Sequence, residues 1–341
     1  MTTIKSLLKI VLFPLFAFVL SACPYGSGDY EFEYETIITE SPVNLAGINS
    51  PYDDYNSALP YPAARFGIFF SSNRSSAGQD FDIILREMDL SYHVKDDVLD
   101  VHYVAPGDYT SFEDILMTLI NSSDDQLGPF FFFGPKDFSY FFYSDNQNGD
   151  YDIRFAHYLK SDFGTYGASN QLYGPDTLKP ITSDKDELYP TITEDQTTLF
   201  YCSNQENEVF NIFSIPLPEA DSLHEFFTGS EPAVPVLNPV LSSDYDDKCP
   251  FIDSDIMVFT SNREGGEGGF DLYYSLLEDG SWTPPVNFGP EINTEYDEYR
   301  PIVFSFDSFK RLIIFSSDRP GGQGGFDLYM VKADGYIQSG S

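Results

Sequence analysis

The chain has 341 residues, of which 54 are acidic and 18 basic, so its formal net charge at pH 7 is −36. This balance excludes nucleic-acid binding and direct attraction to anionic lipid headgroups, because both need a basic surface that the composition does not supply. Disorder is excluded as well, since 32 Phe and 24 Tyr can supply a large apolar core.

The first 22 residues are typical of a secretory signal peptide. Lys5 and Lys9 form a short positive region, and the uncharged apolar run 10–20 that follows is too short to span a bilayer. The run ends in Leu20-Ser21-Ala22-Cys23, which resembles the lipobox of bacterial lipoproteins. The resemblance implies cleavage before Cys23 and lipid on that residue. We therefore expect an outer-membrane lipoprotein, held in the bacterial envelope by its lipid anchor only and facing the periplasm or the cell surface.

A five-residue phrase with a leading aromatic residue recurs five times after this segment. The copies begin at Phe70, Tyr143, Tyr201, Phe259 and Phe315, which are 73, 58, 58 and 56 residues apart. A second phrase follows each copy: Phe81-Asp82-Ile83, Tyr151-Asp152-Ile153, Phe210-Asn211-Ile212, Phe270-Asp271-Leu272 and Phe326-Asp327-Leu328. Self-similarity at such a period predicts one supersecondary unit stacked on itself.

The unit at 245–299 shows what is repeated. A β-branched and aromatic run at 256–260 is followed by a glycine-rich connection and a second apolar run at 270–276. An outer strand at 282–288 contains Pro284 and Pro285, which only an edge strand tolerates. Four short antiparallel strands in each unit predict the blade of a β-propeller.

The two ends of the repeat region do not match. The last unit stops at about Val331 after three strands, while Val43-Asn44-Leu45 resembles the outer strand Val286-Asn287-Phe288. We therefore predict an all-β fold, a single five-bladed propeller over 34–333 whose fifth blade is completed by the N-terminal strand near 34–45. Residues 23–33 would form a tether and 334–341 a tail. A sixth blade within 86–118 is the alternative.

A third recurring phrase links the units and contains an acidic pair in each copy. The pairs are Asp53 and Asp54, Asp124 and Asp125, Asp186 and Glu187, Asp246 and Asp247, and Asp297 and Glu298. In a propeller these side chains would form a ring near the mouth of the central channel, where Ca²⁺ or a basic partner group would relieve their repulsion. The alternative is that each pair accepts backbone N–H bonds at the turn into the inner strand.

Other segments and residues are candidates for a binding site or a structural contact. The stretch 144–152 resembles a calcium loop but lacks the first Asp and the last Glu. Export would permit a disulfide between Cys202 and Cys249. We expect structural roles for the Arg and Asp residues of the blades, with Arg319 bonding Asp327 across the strand connection; the set is Arg74, Asp82, Arg263, Asp271, Arg319 and Asp327. Apart from Ca²⁺ at the acidic ring, no metal or cofactor is expected.

The segments 261–273 and 317–329 resemble the TolB-type, WD-like propeller repeat of bacterial envelope proteins. Gln147 and Gln205 depart from it, because the repeat has arginine there. The resemblance implies a scaffold that binds an envelope protein partner and has no catalytic activity of its own.

The alternative function is a carbohydrate-binding or glycoside-cleaving propeller. Glycosidases with five blades use carboxylates that converge in the central pocket. The four histidines (His93, His102, His157 and His224) fall at unrelated positions in the blades, and no catalytic triad can be proposed from spacing. From the sequence we therefore expect no enzyme.

Overall fold

A computed structural model describes residues 32–59, 65–104, 112–159, 172–306 and 310–337. Within these ranges the chain forms five antiparallel sheets that follow one another along the sequence. In each sheet the first strand of the repeat lies innermost and the later strands follow outward. The predicted all-β, five-bladed propeller is therefore confirmed.

The strands of the first three blades are given from the inside outward. Blade 1 contains β3 (Asp54–Ala58), β4 (Arg65–Ser72), β5 (Asp82–His93), β6 (Val98–Val104) and β1 (Phe32–Ile38). Blade 2 contains β7 (Gln126–Phe133), β8 (Phe138–Asp145), β9 (Asp152–Leu159) and β10 (Tyr173–Thr177). Blade 3 contains β11 (Glu187–Ile192), β12 (Thr198–Ser203), β13 (Asn211–Pro216) and β14 (Val236–Leu237).

The last two blades follow the same plan. Blade 4 contains β15 (Asp247–Asp253), β16 (Ile256–Ser261) and β17 (Asp271–Glu278), with the short β18 (Ser281–Trp282) and β19 (Val286–Asn287) both paired to β17. Blade 5 contains β20 (Glu298–Phe306), β21 (Lys310–Ser317), β22 (Asp327–Lys332) and β2 (Val43–Asn44).

The N-terminal strand closes the ring, as the unmatched ends predict. In β2, Val43 pairs with Met330 and Asn44 with Tyr329 of β22. The Leu45 N–H donates to the Leu328 carbonyl at 2.9 Å and extends the pairing. The closing strand is shorter than the predicted 34–45, because β1 pairs with β6 on the outside of blade 1 instead.

The segment 86–118 is not a sixth blade. It supplies most of the long hairpin β5–β6 and the beginning of helix α1 (Phe112–Ile120). Leu116 and Ile120 of α1 are buried against a cluster that includes Phe69 and Phe141 of blades 1 and 2. A second helix, α2 (Leu223–Thr228), buries Leu223 and Phe227 beside blades 2 and 3. The long hairpin and helix α1 between the first and second copies of the phrase thus account for the longer first step of the repeat.

An irregularity in every innermost strand shapes the centre of the disc. Each of these strands shifts register near its start. One residue there has a positive φ, between 48° and 60°; the five are Asn56, Gly128, Tyr189, Cys249 and Arg300. Such a bulge bends a strand and re-aims a side chain. Gly128 has no room for a side chain, because its Cβ position lies against the Tyr189 ring.

Candidate functional site at the mouth of the central channel

The first acid of each pair joins neighbouring blades. Its carboxylate accepts the backbone N–H of the aromatic residue that begins the second phrase of the preceding blade, at 2.7–3.0 Å. The five acceptors are Asp53, Asp125, Asp186, Asp246 and Asp297, and their donors are Phe326, Phe81, Tyr151, Phe210 and Phe270. The ring of acids therefore fastens each blade to the next.

The second position of each pair stabilises the turn before the inner strand. Its side chain accepts the backbone N–H of the Ser or Thr four residues earlier; these side chains belong to Asp54, Gln126, Glu187, Asp247 and Glu298. In blade 2 the pair is therefore Asp125 and Gln126, and the predicted member Asp124 lies outside the ring. Counted from the leading isoleucine of the phrase, Gln126 is the residue equivalent to Asp54.

The arginines of the repeat bind this second position. Arg74 contacts Asp54 at 2.5 Å, and the equivalent pairs are Arg263 with Asp247 at 2.5 Å and Arg319 with Glu298 at 2.9 Å. The prediction that Arg319 bonds Asp327 is therefore wrong. The carboxylate of Asp327 instead accepts the backbone N–H groups of Gln323 and Gly324 in the glycine-rich connection.

The other two acids of the predicted structural set lie at the same position as Asp327. Asp271 accepts backbone N–H groups of its own glycine-rich connection, from Glu267 at 2.6 Å and Gly268 at 3.1 Å. In blade 1, burial raises the pKa of Asp82, and a hydrogen bond with Ser75 in the connection before it opposes the rise. These carboxylates are committed to the loop beside them, which leaves the arginines to the acidic pairs.

Blade 3 is the exception among the acidic pairs. Gln205 stands where blades 1, 4 and 5 have arginine, so Glu187 is buried with no guanidinium partner among the described residues. Burial raises the pKa of Glu187 to about 7; the bonds from Ser183 oppose the rise and the charge of Asp152 adds to it. In blade 2 the equivalent residue, Gln126, is neutral, so no carboxylate is buried at that position.

The stretch that resembles a calcium loop holds a guanidinium. Arg154 donates to Asp145 at 3.2 Å and to Gln147 at 2.5 Å. In the described part of the chain, no group of three or more His, Cys, Asp or Glu residues is arranged to hold a metal ion. Ca²⁺ at the acidic ring stays a prediction.

Five aromatic side chains, which we call the aromatic collar, surround the mouth of the central channel. They are the half-buried residues Phe81, Tyr151, Phe210, Phe270 and Phe326. Beneath them lies a second layer, formed by the residues that follow the acidic pairs: Tyr55, Leu127, Leu188, Lys248 and Tyr299. Tyr55 contacts Phe81 with ring centroids 4.8 Å apart, and Tyr299 contacts Phe270 at 5.3 Å. The Lys248 ammonium lies 4.1 Å from the centroid of the Phe210 ring.

The bulge residues close the channel below this layer. Asn56, Tyr189, Cys249 and Arg300 are all buried. Arg300 reaches across to other blades and donates to the carbonyls of Pro250 at 3.3 Å and Pro129 at 3.2 Å. The described residues thus form a shallow mouth rather than an open central pore.

Both cysteines of the propeller are free thiols near this closure. Cys202 and Cys249 are buried in one cluster and are not bonded to each other. Burial raises the pKa of the Cys249 thiol to about 12. The disulfide that export would permit is therefore not formed in this structure.

A second cavity lies on the opposite face of the disc. It has a volume of about 680 Å³ and is bounded by turns of blades 3 and 4, with Glu194, Asp195 and Asp255 on its walls. Trp282, the single tryptophan of the chain, also lines it. The sequence reasoning missed both this groove and the collar, although the collar residues recur visibly in the second phrase.

Comparison with known proteins gives the fold but no family. No family model matches the sequence, and no curated protein matches it either. The structure is similar to the catalytic domain of a GH62 α-L-arabinofuranosidase from Coprinopsis cinerea, with a TM-score of 0.53 and 10% identity over 86% of this chain and 96% of that one. For a thermostable family-43 glycoside hydrolase the TM-score is 0.50, with 15% identity over 85% of this chain and 96% of that one. For another glycoside hydrolase the TM-score is 0.52, with 11% identity over 92% of this chain and 95% of that one.

These likenesses correct the expectations that depended on the TolB-type resemblance. The similar solved structures are glycoside hydrolases and not TolB-type proteins, so that resemblance is wrong. The expected non-catalytic, protein-binding scaffold was implied by the resemblance and is contradicted with it, as is the expectation of no enzyme. The comparisons give no support to the lipoprotein description either. Cys23, on which that description depends, lies outside the described residues.

No helix within the described ranges has the length and apolar character needed to cross a membrane. The cellular location and any envelope partner stay predictions.

Proposed function

We propose that this propeller acts on carbohydrate and holds a saccharide against the aromatic collar. The observation that carries the proposal is the pairing of five aromatic rings with five carboxylates around one shallow mouth. Apolar ring faces pack against the C–H faces of sugars, while carboxylates accept hydrogen bonds from sugar hydroxyls. The collar and the first acids of the pairs supply both kinds of contact within one site.

The fold supports the choice of ligand to test first. The similar structures include an α-L-arabinofuranosidase and a family-43 glycoside hydrolase. Because identity is at most 15% in these comparisons, the likeness supports only the fold. Function depends on the residues that a fold carries, so arabino-oligosaccharides are a starting panel and not a conclusion.

Cleavage of a glycosidic bond is the second candidate, and blades 4 and 5 favour it. In blades 1 to 3, a side-chain amide donates to the outer oxygen of the first acid; the donors are Asn73, Asn146 and Asn204. Among the described contacts, no side-chain amide binds that oxygen of Asp246 or Asp297. Hydrolysis of glycosides needs two carboxyl groups free to act on the bond. Asp246 and Asp297 are therefore the pair we propose for it.

Calorimetric titration with arabino-, xylo- and cello-oligosaccharides tests the binding proposal. Phe210→Ala should weaken binding at least roughly tenfold, because it removes a ring face from the mouth. Trp282→Phe is the matched control on the opposite face and should leave the affinity unchanged. If no saccharide of the panel binds, or if Trp282→Phe is the variant that loses binding, the proposed site is wrong.

Release of reducing ends tests cleavage separately. Asp246→Asn and Asp297→Asn keep an oxygen that can accept the backbone N–H of the collar residue, so the fold should be preserved. Each should abolish hydrolysis while leaving saccharide binding within about threefold of the original protein. Unchanged hydrolysis in both variants would assign cleavage to other residues.

A further inference from the structure

The charged residues inside the channel are opposite in sign to the net charge of the protein. The second layer and the bulge layer together contain ten residues, and only Lys248 and Arg300 among them carry a formal charge. Both are cations in a chain with 54 acidic and 18 basic residues. They come from the inner strands of the adjacent blades 4 and 5. The two layers below the collar therefore carry only positive formal charges, although the carboxylates around the mouth are negative.

Arg300 is buried, and none of the described residues gives it an anionic partner. It is the largest fully buried side chain of the described residues, and its Nε has no hydrogen-bond partner. Its guanidinium donates to two carbonyls and lies 5.3 Å from the Tyr189 ring centroid. By contrast, four other arginines contact a carboxylate: Arg74, Arg154, Arg263 and Arg319. A buried cation that no carboxylate neutralises creates a strong local potential, because the surrounding medium screens it poorly.

Lys248 carries the same charge nearer to solvent. Its side chain is 17% exposed, and its ammonium lies between two collar rings, 4.1 Å from the centroid of Phe210 and 5.5 Å from that of Phe270. Asp246 forms a long ion pair with it at 3.7 Å, which is beyond hydrogen-bond distance. The ammonium therefore keeps donors available to a ligand that lies on the collar.

The surrounding acids are bonded to other groups of the protein, and among the described residues only Asp246 lies within ion-pair distance of Lys248. Each first acid accepts a backbone N–H, and three of the second acids contact arginine. Lys248 and Arg300 both act on the buried thiols of Cys202 and Cys249 and oppose the rise of their pKa values. The two cations thus share one region at the centre of the channel.

We infer that the mouth selects an acidic saccharide, and that the carboxylate of a uronic acid residue binds the Lys248 ammonium above the buried Arg300. This inference rests on the proposed function and specifies its substrate class. The collar holds the sugar ring, Lys248 donates to the carboxylate, and the guanidinium one layer deeper adds an attraction that a neutral sugar does not receive. A charge-assisted bond of this kind discriminates more strongly than a neutral one.

Trigalacturonate and its methyl ester make a matched pair of ligands, since esterification removes the charge and keeps the sugar. In calorimetric titrations at fixed ionic strength, the full chain should bind the acid at least roughly tenfold more tightly than the ester. Lys248→Met keeps the apolar stem and should remove this preference, with little effect on the ester. Lys136→Met, which removes an exposed lysine paired with Asp221, is the control and should change neither affinity.

Two results would overturn the inference. If acid and ester bind equally, and both depend on Phe210, the carbohydrate site stands but its preference for acids does not. If no saccharide binds, neither this pair nor the arabino-, xylo- and cello-oligosaccharides, the proposed function fails, and titration with acetate then tests the anion site alone. Acetate binding that Lys248→Met abolishes would support the anion site, and no acetate binding would exclude it. Arg300→Gln, if it folds by circular dichroism, should also reduce the preference for the acid.

Discussion

The backbone N–H of Phe326 donates to the Asp53 carboxylate at 2.9 Å, and this bond links the last blade to the first. The same bond recurs at the other four blade junctions. The first acids are therefore part of the framework and also lie at the mouth of the channel. Their two roles can be separated by substitutions that keep one oxygen acceptor.

Asp53→Ala should destabilise the propeller by about 1–3 kcal/mol, because it leaves the Phe326 N–H without its acceptor. Asp53→Asn keeps an acceptor oxygen and should cost less. Equilibrium denaturation in urea measures both changes. Equal losses in the two variants would show that charge, and not the bond to the backbone, matters at this junction.

The closing strand β2 should matter more than its length suggests. A chain that begins at residue 46 lacks β2 and the buried Leu45, and its melting temperature should fall by several degrees or more. A chain that begins at residue 39 lacks only β1 and is the matched control, with a smaller expected loss. If both truncated chains melt alike, closure by β2 contributes no special stability.

Glu187 should make stability depend on pH. Its pKa is about 7 in the folded protein against 4.5 as the ordinary value, so the folded state binds a proton more tightly than the unfolded state does. This contribution is fully present below pH 4.5 and is lost as the pH rises through 7, with a total on the order of 3 kcal/mol. Denaturation series from pH 4 to pH 8 would measure the change.

Two variants isolate the cause of that pH dependence. Glu187→Gln introduces the neutral side chain that blade 2 has at the equivalent position, Gln126, and should flatten the dependence of stability on pH. Gln205→Arg supplies the partner found in blades 1, 4 and 5, and should lower the pKa of Glu187 and stabilise the protein above pH 7. A profile that neither variant alters would assign the dependence to another group.

The two buried thiols should be inert in the folded protein. Burial raises the pKa values of both Cys202 and Cys249, so little thiolate forms near neutral pH. A thiol reagent should modify neither cysteine until the chain is unfolded, and then should modify both. Mass spectrometry counts the alkylated cysteines before and after unfolding. If neither Cys202 nor Cys249 is alkylated after unfolding, the two form a disulfide.

The architecture could be predicted because the repeats encode it locally. The last unit lacks a fourth strand after Val331, and the segment at Val43 resembles such a strand. The sequence therefore predicts that the two ends pair and close the ring. The buried carboxyl of Glu187 in blade 3, which lacks an arginine partner, could also have been predicted, since Gln205 breaks the pattern that pairs Arg263 with Asp247. Each of these signals depends on the spacing of residues along one strand or turn.

The centre of the channel could not be predicted in the same way. The bulge turns Arg300 inward, whereas simple strand alternation does not reveal which side chain a bulge re-aims. The glycine-rich phrase was misleading for a related reason. It specifies the bonds that Asp271 and Asp327 make to the connection between two strands, so it reports how a blade is built and not what the propeller binds.

The most direct test of the account is a crystal structure of the protein soaked with an oligosaccharide that binds in solution. We expect electron density for a sugar ring against Phe210 and Phe270, with a polar substituent near the Lys248 ammonium. Density only in the groove lined by Trp282, with an empty collar, would contradict the central claim that the channel mouth is the carbohydrate site.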